Sequence, residues 1–317
     1  MSRSEKHKKK SGKWWKIPLL FMALVVIAGG VYMYTVYSGA KSTVDGKMHE
    51  QVASIDHEVT EKKLKEQKPL NILLLGVDER NGDRGRSDAL MVLSLDPENN
   101  RSQLISIPRD TRTELIGNAP QAGKLDKINH AYAFGGTDMS INTVENLLDV
   151  ELDYYVRMNM EGLSEMVDAV GGITVNNDLD WYDRGYYEKG YHYKKGELHL
   201  NGPETMGYVR MRYKDPNGDF GRNERQRQVI KAVVDKGASI GSVNKIGDML
   251  DVLGSNVTTN MDFSTMKDLM LNYRSAQQNM VTYQMTGTGT KIDGIYYLQV
   301  SDQEIQEVHN KIKEYSS

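Results

Sequence analysis

The 317-residue sequence contains no cysteine. Disulfides, thiol nucleophiles and cysteine-ligated zinc are therefore excluded, and any folded part must rest on its own apolar core. A surplus of basic charge is also missing, because 40 lysines and arginines stand against 43 acids and the formal net charge is −3. Seven of the lysines and arginines, against one acid, stand in the first sixteen residues, which leaves the remainder with a net −9. An acidic chain whose surplus cations are confined to one short tail is poorly suited to nucleic acid. No internal repeat or low-complexity segment follows Pro69.

Charge is missing altogether from Ile17 to Tyr37, twenty-one residues in a row. A helix crossing the hydrocarbon core of a bilayer needs roughly 20 such residues. Trp14 and Trp15 stand at one end of the run and Tyr32, Tyr34 and Tyr37 at the other, the aromatic pattern of membrane interfaces. The basic flank comes first, so the N-terminus is expected in the cytoplasm and everything after about Ser38 outside. A cleaved signal peptide is the alternative, with Ala28-Gly29-Gly30 as its small-residue site. Its apolar core would be only about 7–15 residues, so the length of the run favours an anchor. The expected layout is a cytoplasmic tail over 1–16, a single-pass anchor over 17–37, a polar stalk over 38–68, and one extracytoplasmic domain over 69–317.

Within that domain, Leu70–Val77 is a short continuous apolar run of the kind that forms a buried strand. Ala89–Leu95 and Gln103–Ile107 read as the next two strands, separated by the turn cluster Asp96–Asn100 and closed by Pro108. Lys124–Phe134 and Thr137–Leu148 read as helices, and Asp153–Met158 as a strand. Asn159 caps an expected helix over Met160–Val170, and Ile173–Val175 is a further short strand. Trp181–Tyr193, dense in tyrosine, reads as a hairpin or flap. Asn201-Gly202-Pro203-Glu204 has the composition of a helix start, for a helix over 203–212. Further helices are expected from near Gly221 to Lys236, over 244–253, over 263–274 and over 302–314, with strands over 280–285 and 293–299. The mixture points to an α/β domain with a central mixed sheet flanked by helices.

This order has a chemical consequence. If residues 79–87 close a hairpin, Asp78 after the first strand and Asp88 before the second lie at the same end of the sheet. Arg109, just after the third strand, returns to that end. Two carboxylates side by side repel unless a cation stands between them, and Mg²⁺ is commonly held by one or two carboxylates plus phosphate oxygens. A solvated loop with local pairing, such as Asp83 with Arg84, is the plainer alternative.

The segment DFGRNERQRQVIK, 219–231, has its arginines in an unusual place. At about 100° per residue, Arg222 falls on the same stripe as Val229, Val233, Ile230 and Val234, with Gln226 beside it. Arg225 and Arg227 flank that stripe. A surface helix sets its arginines opposite its valines. Here Arg222 and Gln226 point inward in the first turns, where buried charge needs a partner or an anionic ligand. Arginine's fork suits phosphate oxygens. Internal pairing with Asp215, Asp219 or Glu224 would satisfy the same residues. Arg210 and Arg212, two apart, can share one site only if the preceding helix has unwound there.

The blocks NILLLGVDER (71–80), GRSDALMVLSLDP (85–97), ISIPRDT (105–111), KINHAYAFGG (127–136), VDAVGGITVN (167–176), LNGPETMGYVRMR (200–212) and GDFGRNERQRQVI (218–230) resemble those of the LytR-CpsA-Psr family of Gram-positive bacteria. Within it, the chain resembles wall-teichoic-acid transferases of bacilli. The resemblance implies transfer of an anionic glycopolymer from an undecaprenyl-pyrophosphate carrier to the C6 hydroxyl of peptidoglycan N-acetylmuramic acid, assisted by Mg²⁺ or Mn²⁺. It implies Asp78 and Asp88 as metal ligands. It implies Arg109, Arg210, Arg212, Arg222, Arg225, Gln226 and Arg227 as the pyrophosphate cradle. Catalytic roles fall to Asp78, Arg109 and Asp219, with Asp78 or Asp219 taking the acceptor proton. Hydrolysis of the lipid-linked pyrophosphate, and a non-catalytic lipid-binding or regulatory envelope protein, are the alternative functions.

Overall fold

The computed structural model describes residues 34–78, 85–238, 252 and 254–316. The expected cytoplasmic tail and all of the apolar run except 34–37 lie outside the described residues, as do loop residues 79–84 and nearly all of the helix expected over 244–253. Among the described residues, no helix is long and apolar enough to cross a membrane.

The apolar run Leu70–Val77 forms β1, and Ser87–Asp96 and Arg101–Ile107 form β2 and β3. The next strands are the short β4 (Arg112–Glu114) and β5 (Leu125–Lys127), then β6 (Tyr154–Asn159), β7 (Ile173–Asn177), β8 (Trp181–Tyr182), β9 (His192–Tyr193), β10 (Gly196–Leu200), β11 (Val257–Thr259), β12 (Met280–Gln284), β13 (Thr288–Ile292) and β14 (Ile295–Gln299). Residues 34–43 are helical, and the α-helices that follow are α1 (His57–Lys65), α2 (His130–Leu148), α3 (Met160–Ala169), α4 (Gly202–Arg210), α5 (Asp219–Ala238), α6 (Phe263–Asn272) and α7 (Asp302–Tyr315). The central sheet has six strands in the order β11-β6-β1-β2-β3-β12. β2 is antiparallel to both neighbours, β6 is parallel to β1 and β12 is parallel to β3. The carboxyl ends of β1, β3, β6 and β12 therefore share one edge, where ligands of such sheets bind.

Alternation along the strands sends side chains to two cores. Leu73, Leu75, Val77, Leu90, Val92, Ile105 and Ile107 pack with Tyr132, Ile141 and Val144 of α2 and Val308 and Ile312 of α7. Leu70, Ile72 and Tyr154 face the other way, onto Leu64 of α1, Tyr273, and Met266 and Leu269 of α6. A third cluster joins α3, α4 and the middle of α5 to β7–β10 around Trp181, Tyr193, Tyr208 and Val229. The segment expected to be a polar stalk lies against the domain instead, because Val44, Met48, Ile55 and Leu64 are buried, while Val59 is exposed.

Several boundaries differ from the sequence expectation for identifiable reasons. Leu125–Lys127 is a strand, because it pairs antiparallel with Arg112–Glu114, and the helix starts only at His130. The break expected between two helices at Gly135-Gly136 is present within α2, because Gly136, with φ of 67° and ψ of −150°, leaves the helical region. Asn201 forms a full capping box with Glu204, but α4 stops at Arg210 because Met211 turns extended. α5 begins at Asp219, two residues early, and Val234 is exposed rather than part of the buried stripe.

Candidate active site

The register between β1 and β2 slips at one place. Gly76 faces Ala89 and Val77 faces Ser87, so Asp88 is the extra residue of a bulge. A bulge re-aims the side chain it carries, and such irregularities recur beside active sites. The bulge needs a small residue opposite, since a Cβ on Gly76 would stand 3.0 Å from that of Ala89. Asp78 follows β1 directly, its N–H donating to the Arg86 carbonyl at 3.2 Å. Leu90 faces Ile107 across β2 and β3, so Asp88 and Arg109 stand opposite each other two residues further on. Arg109 Nη1 donates to Asp88 Oδ1 at 2.6 Å.

The second wall comes from α4 and α5. With Met211 extended and fully buried, Arg210 and Arg212 emerge on the same side, since alternate residues of extended chain share a face. Arg210 Nη2 lies 4.0 Å from Asp78 Oδ1, and Arg212 Nη1 lies 3.7 Å from Asp219 Oδ1. Asp219 opens α5 and accepts from Arg222 Nη2 at 3.1 Å through Oδ2. Its Oδ1 is 4.0 Å from Arg109 Nε. Asp88, Arg109 and Asp219 thus alternate in charge, and Arg222 and Arg212 both converge on Asp219, with Asp78 and Arg210 beside them.

Burial grades this chain. The Arg222 side chain is 6% exposed and that of Arg212 is 47% exposed. Burial holds the Arg222 guanidinium below its ordinary pKa; Asp219 opposes the shift, while nearby Arg109 and Arg212 add to it. Burial acts on Arg109 in the same direction, but Asp88, Asp219 and Asp110 outweigh it and raise its pKa. Arg109 Nε, Arg222 Nε, Gln226 Oε1 and Asp219 Oδ1 are buried without a hydrogen-bond partner among the described residues. The two guanidinium N–H groups among them cost free energy unless a ligand completes them, and phosphate oxygens complete guanidinium donors well.

The remaining arginines of the α5 motif are engaged elsewhere. Arg225 donates from Nε to the Tyr208 carbonyl at 3.0 Å, from Nη1 to Asp215 Oδ2 at 2.5 Å, and to the Met211 carbonyl. It closes the C-terminal end of α4, where a cation is favoured. Arg227 ties α5 to the sheet, donating to Ser106 Oγ at 2.9 Å and Gln284 Oε1 at 3.0 Å and pairing with Glu224. Both side chains are as buried as that of Arg222, but their partners are protein groups.

Two further residues reach the cluster. Asp110 lies 3.8 Å from Arg109 Nε and 2.7 Å from Lys127 Nζ; the signal for it is its place beside Arg109 in the block ISIPRDT. Tyr296 lines a small cleft with Pro108, Asp110, Asp219 and Asn223, and burial together with Asp110 and Asp219 raises its phenol pKa. It arrives on a hairpin far along the chain, so no local pattern announces it. Asp78 and Asp88 are the donors a hard divalent cation takes, and both are half-buried at the sheet edge. Among the described residues, no group of three or more metal-ligating side chains gathers there.

Residues 31–314 match the model of the LytR_cpsA_psr family. The chain belongs to the LytR-CpsA-Psr family. It is 44% identical over 313 residues to the polyisoprenyl-teichoic acid–peptidoglycan teichoic acid transferase TagU of Bacillus subtilis, covering 98% of each chain. The crystal structure of B. subtilis TagU superposes with a TM-score of 0.63 at 43% identity, over 79% of this chain and 97% of that one. TagT bound to LIIa-WTA gives a TM-score of 0.69 at 26% identity, over 86% and 97% of the two chains. The α/β architecture with a helix-flanked mixed sheet is the fold of this family.

Proposed function

We propose that the chain is a phosphotransferase that moves an anionic glycopolymer, wall teichoic acid, from a polyisoprenyl-pyrophosphate carrier to peptidoglycan. The observation that carries this reading is the Arg222–Asp219–Arg109–Asp88 chain, whose unpaired guanidinium donors call for phosphate oxygens. The names of its relatives support the same chemistry.

The acceptor is the C6 hydroxyl of N-acetylmuramic acid. Its oxygen bonds to the phosphorus next to the sugar, the bridging pyrophosphate bond breaks, and polyisoprenyl phosphate leaves with the electron pair. The hydroxyl proton passes to a carboxylate, Asp219 or Asp78. Arg109 and Arg222 spread the charge that develops on phosphorus, the dominant task in such transfers. Asp78 and Asp88 would hold Mg²⁺ or Mn²⁺, which when bound neutralises pyrophosphate charge. The apolar run Ile17–Tyr37 is read as a single-pass anchor that leaves the domain outside the cytoplasmic membrane.

The test uses the full chain in detergent with a lipid-pyrophosphate-linked disaccharide and peptidoglycan oligomers, with and without Mg²⁺. A glycan–phosphate–glycan adduct that requires the metal and Arg222 is the expected product. Release of sugar phosphate without adduct would make the enzyme a hydrolase. Tight lipid retention without turnover would leave a lipid-binding envelope protein.

A further inference from the structure

The most exposed large apolar side chains among the described residues are Met270 at 76%, Tyr34 at 71% and Leu271 at 70%. All three belong to one side of the molecule. Residues 34–43 form a helix, and the Tyr37 ring in it packs edge-on against Phe263, the first residue of α6, with centroids 5.1 Å apart. Val44 and Met48, just beyond, share a core with Phe263 and Met266. The base of the apolar run is therefore fixed to the start of α6, and Met270 lies about 10 Å further along that helix at 1.5 Å per residue.

The outward face of α6 has a composition to match. Lys267, Met270 and Leu271 are all exposed and are spaced i, i+3 and i+4, which places them on one helix face; Arg274, also exposed, opens the 3-10 turn that follows the helix. Met266 and Leu269 point the opposite way, into the core. An apolar pair bracketed by two cations is the pattern of a helix lying in a bilayer surface: apolar groups enter the acyl boundary and cations meet anionic headgroups. A water-facing helix gains nothing from two large, nearly fully exposed apolar side chains.

We propose that the outward face of α6 rests in the surface of an anionic bilayer, with Met270 and Leu271 inserted and Lys267 and Arg274 on lipid phosphates. This rests on the anchor reading, because the run that ends at Tyr37 is what brings the bilayer within reach. The contact fixes the tilt of the domain relative to the membrane, which a single anchor helix alone leaves free.

The absence of native cysteine makes the test direct. An environment-sensitive fluorophore is attached to Met270→Cys, Leu271→Cys or Val281→Cys in the full chain. Val281 is 52% exposed but lies on β12, the sheet edge away from β11. The proteins are reconstituted into phosphatidylcholine vesicles with or without phosphatidylglycerol. Blue-shifted emission quenched by lipid-borne spin labels at 270 and 271, but not at 281, is the expected result. Lys267→Glu with Arg274→Glu should weaken lipid quenching, since each cation contributes about fivefold in membrane partition, or about 1 kcal/mol. Protein that floats with vesicles while 270 and 271 stay open to aqueous quencher overturns the proposal and leaves the anchor standing. Failure to float overturns both. Shielding that appears in detergent, rises with protein concentration and is insensitive to lipid quencher assigns the face to a second copy and overturns the proposal as well.

Discussion

Arg109 donates to Asp88 at 2.6 Å across a strand pair, and the carboxylate is there because the β1–β2 register skips one residue. The pairing gives Arg109 a fixed orientation towards Asp219 and leaves its Nε unsatisfied. Asp88→Asn keeps the shape and removes the charge. Transfer should fall about 10²–10³-fold, the usual cost of losing one electrostatic element of a preorganised site. Binding of the proposed lipid pyrophosphate, which Arg222 and Arg212 would still contact, should change much less. Mass-spectrometric adduct yield read beside lipid binding checks the split; equal loss of both would make Asp88 part of ground-state binding.

Arg222 and Arg225 are equally buried and should fail differently. Arg222 pairs with Asp219 inside the site, whereas Arg225 holds Asp215 and two carbonyls at the end of α4. Arg222→Ala is expected to fold and to lose transfer about 10²–10³-fold. Arg225→Ala strands a buried carboxylate and two acceptors, a loss of about 3–5 kcal/mol, read as a lowered Tm with activity following the folded fraction. A thermally normal but inactive Arg225→Ala would place that residue in the site instead.

Part of this arrangement was legible in the sequence. Counting strand, hairpin and strand brings Asp78, Asp88 and Arg109 to one edge, because antiparallel neighbours must return. The helical wheel turns Arg222 and Gln226 inward, and both are buried. What the wheel cannot give is the partner: it supplies an angle, while the fates of Arg225 and Arg227 depend on Asp215, Ser106 and Gln284 from other elements. The bulge at Asp88 and the approach of Tyr296 were illegible for the same reason. β4 and β5 were missed because three-residue strands carry too short an alternation to register.

Asp183 should make the tyrosine-rich flap sensitive to acid. Its carboxylate accepts from the N–H groups of Gly185, Tyr186, Tyr187 and Glu188 at 2.6–3.1 Å. Burial raises its pKa, but those four bonds outweigh burial and hold it below the ordinary value of 3.8. A carboxylate with a depressed folded pKa contributes stability that is fully present above its unfolded value and is lost as pH falls through the folded one. Hydrogen exchange at 185–188 should therefore be slow at neutral pH and accelerate only below about 3.8. Asp183→Asn should exchange fast at every pH. Unchanged protection in that variant would show that the aromatic packing of Tyr191 and Tyr193, not the carboxylate, holds the flap.

Gly221 allows Asp215 to reach Arg225. A Cβ at this position would stand 1.8 Å from Asp215 Oδ2 and 2.3 Å from its Cγ. Gly221 lies in the first turn of α5, where alanine would otherwise be preferred by about 1 kcal/mol. In Gly221→Ala the Asp215 carboxylate has to withdraw, and Arg225 then loses its ion pair while remaining buried. Overpacking of a tight site costs about 1–3 kcal/mol, so the net change should be destabilising despite the gain in helix propensity. Asp215→Ala alone should also destabilise, and combining it with Gly221→Ala should add little, because the clash has gone. A double-mutant cycle on denaturation midpoints measures that coupling. Fully additive losses would mean that the glycine serves the backbone of α5 and not the approach of Asp215.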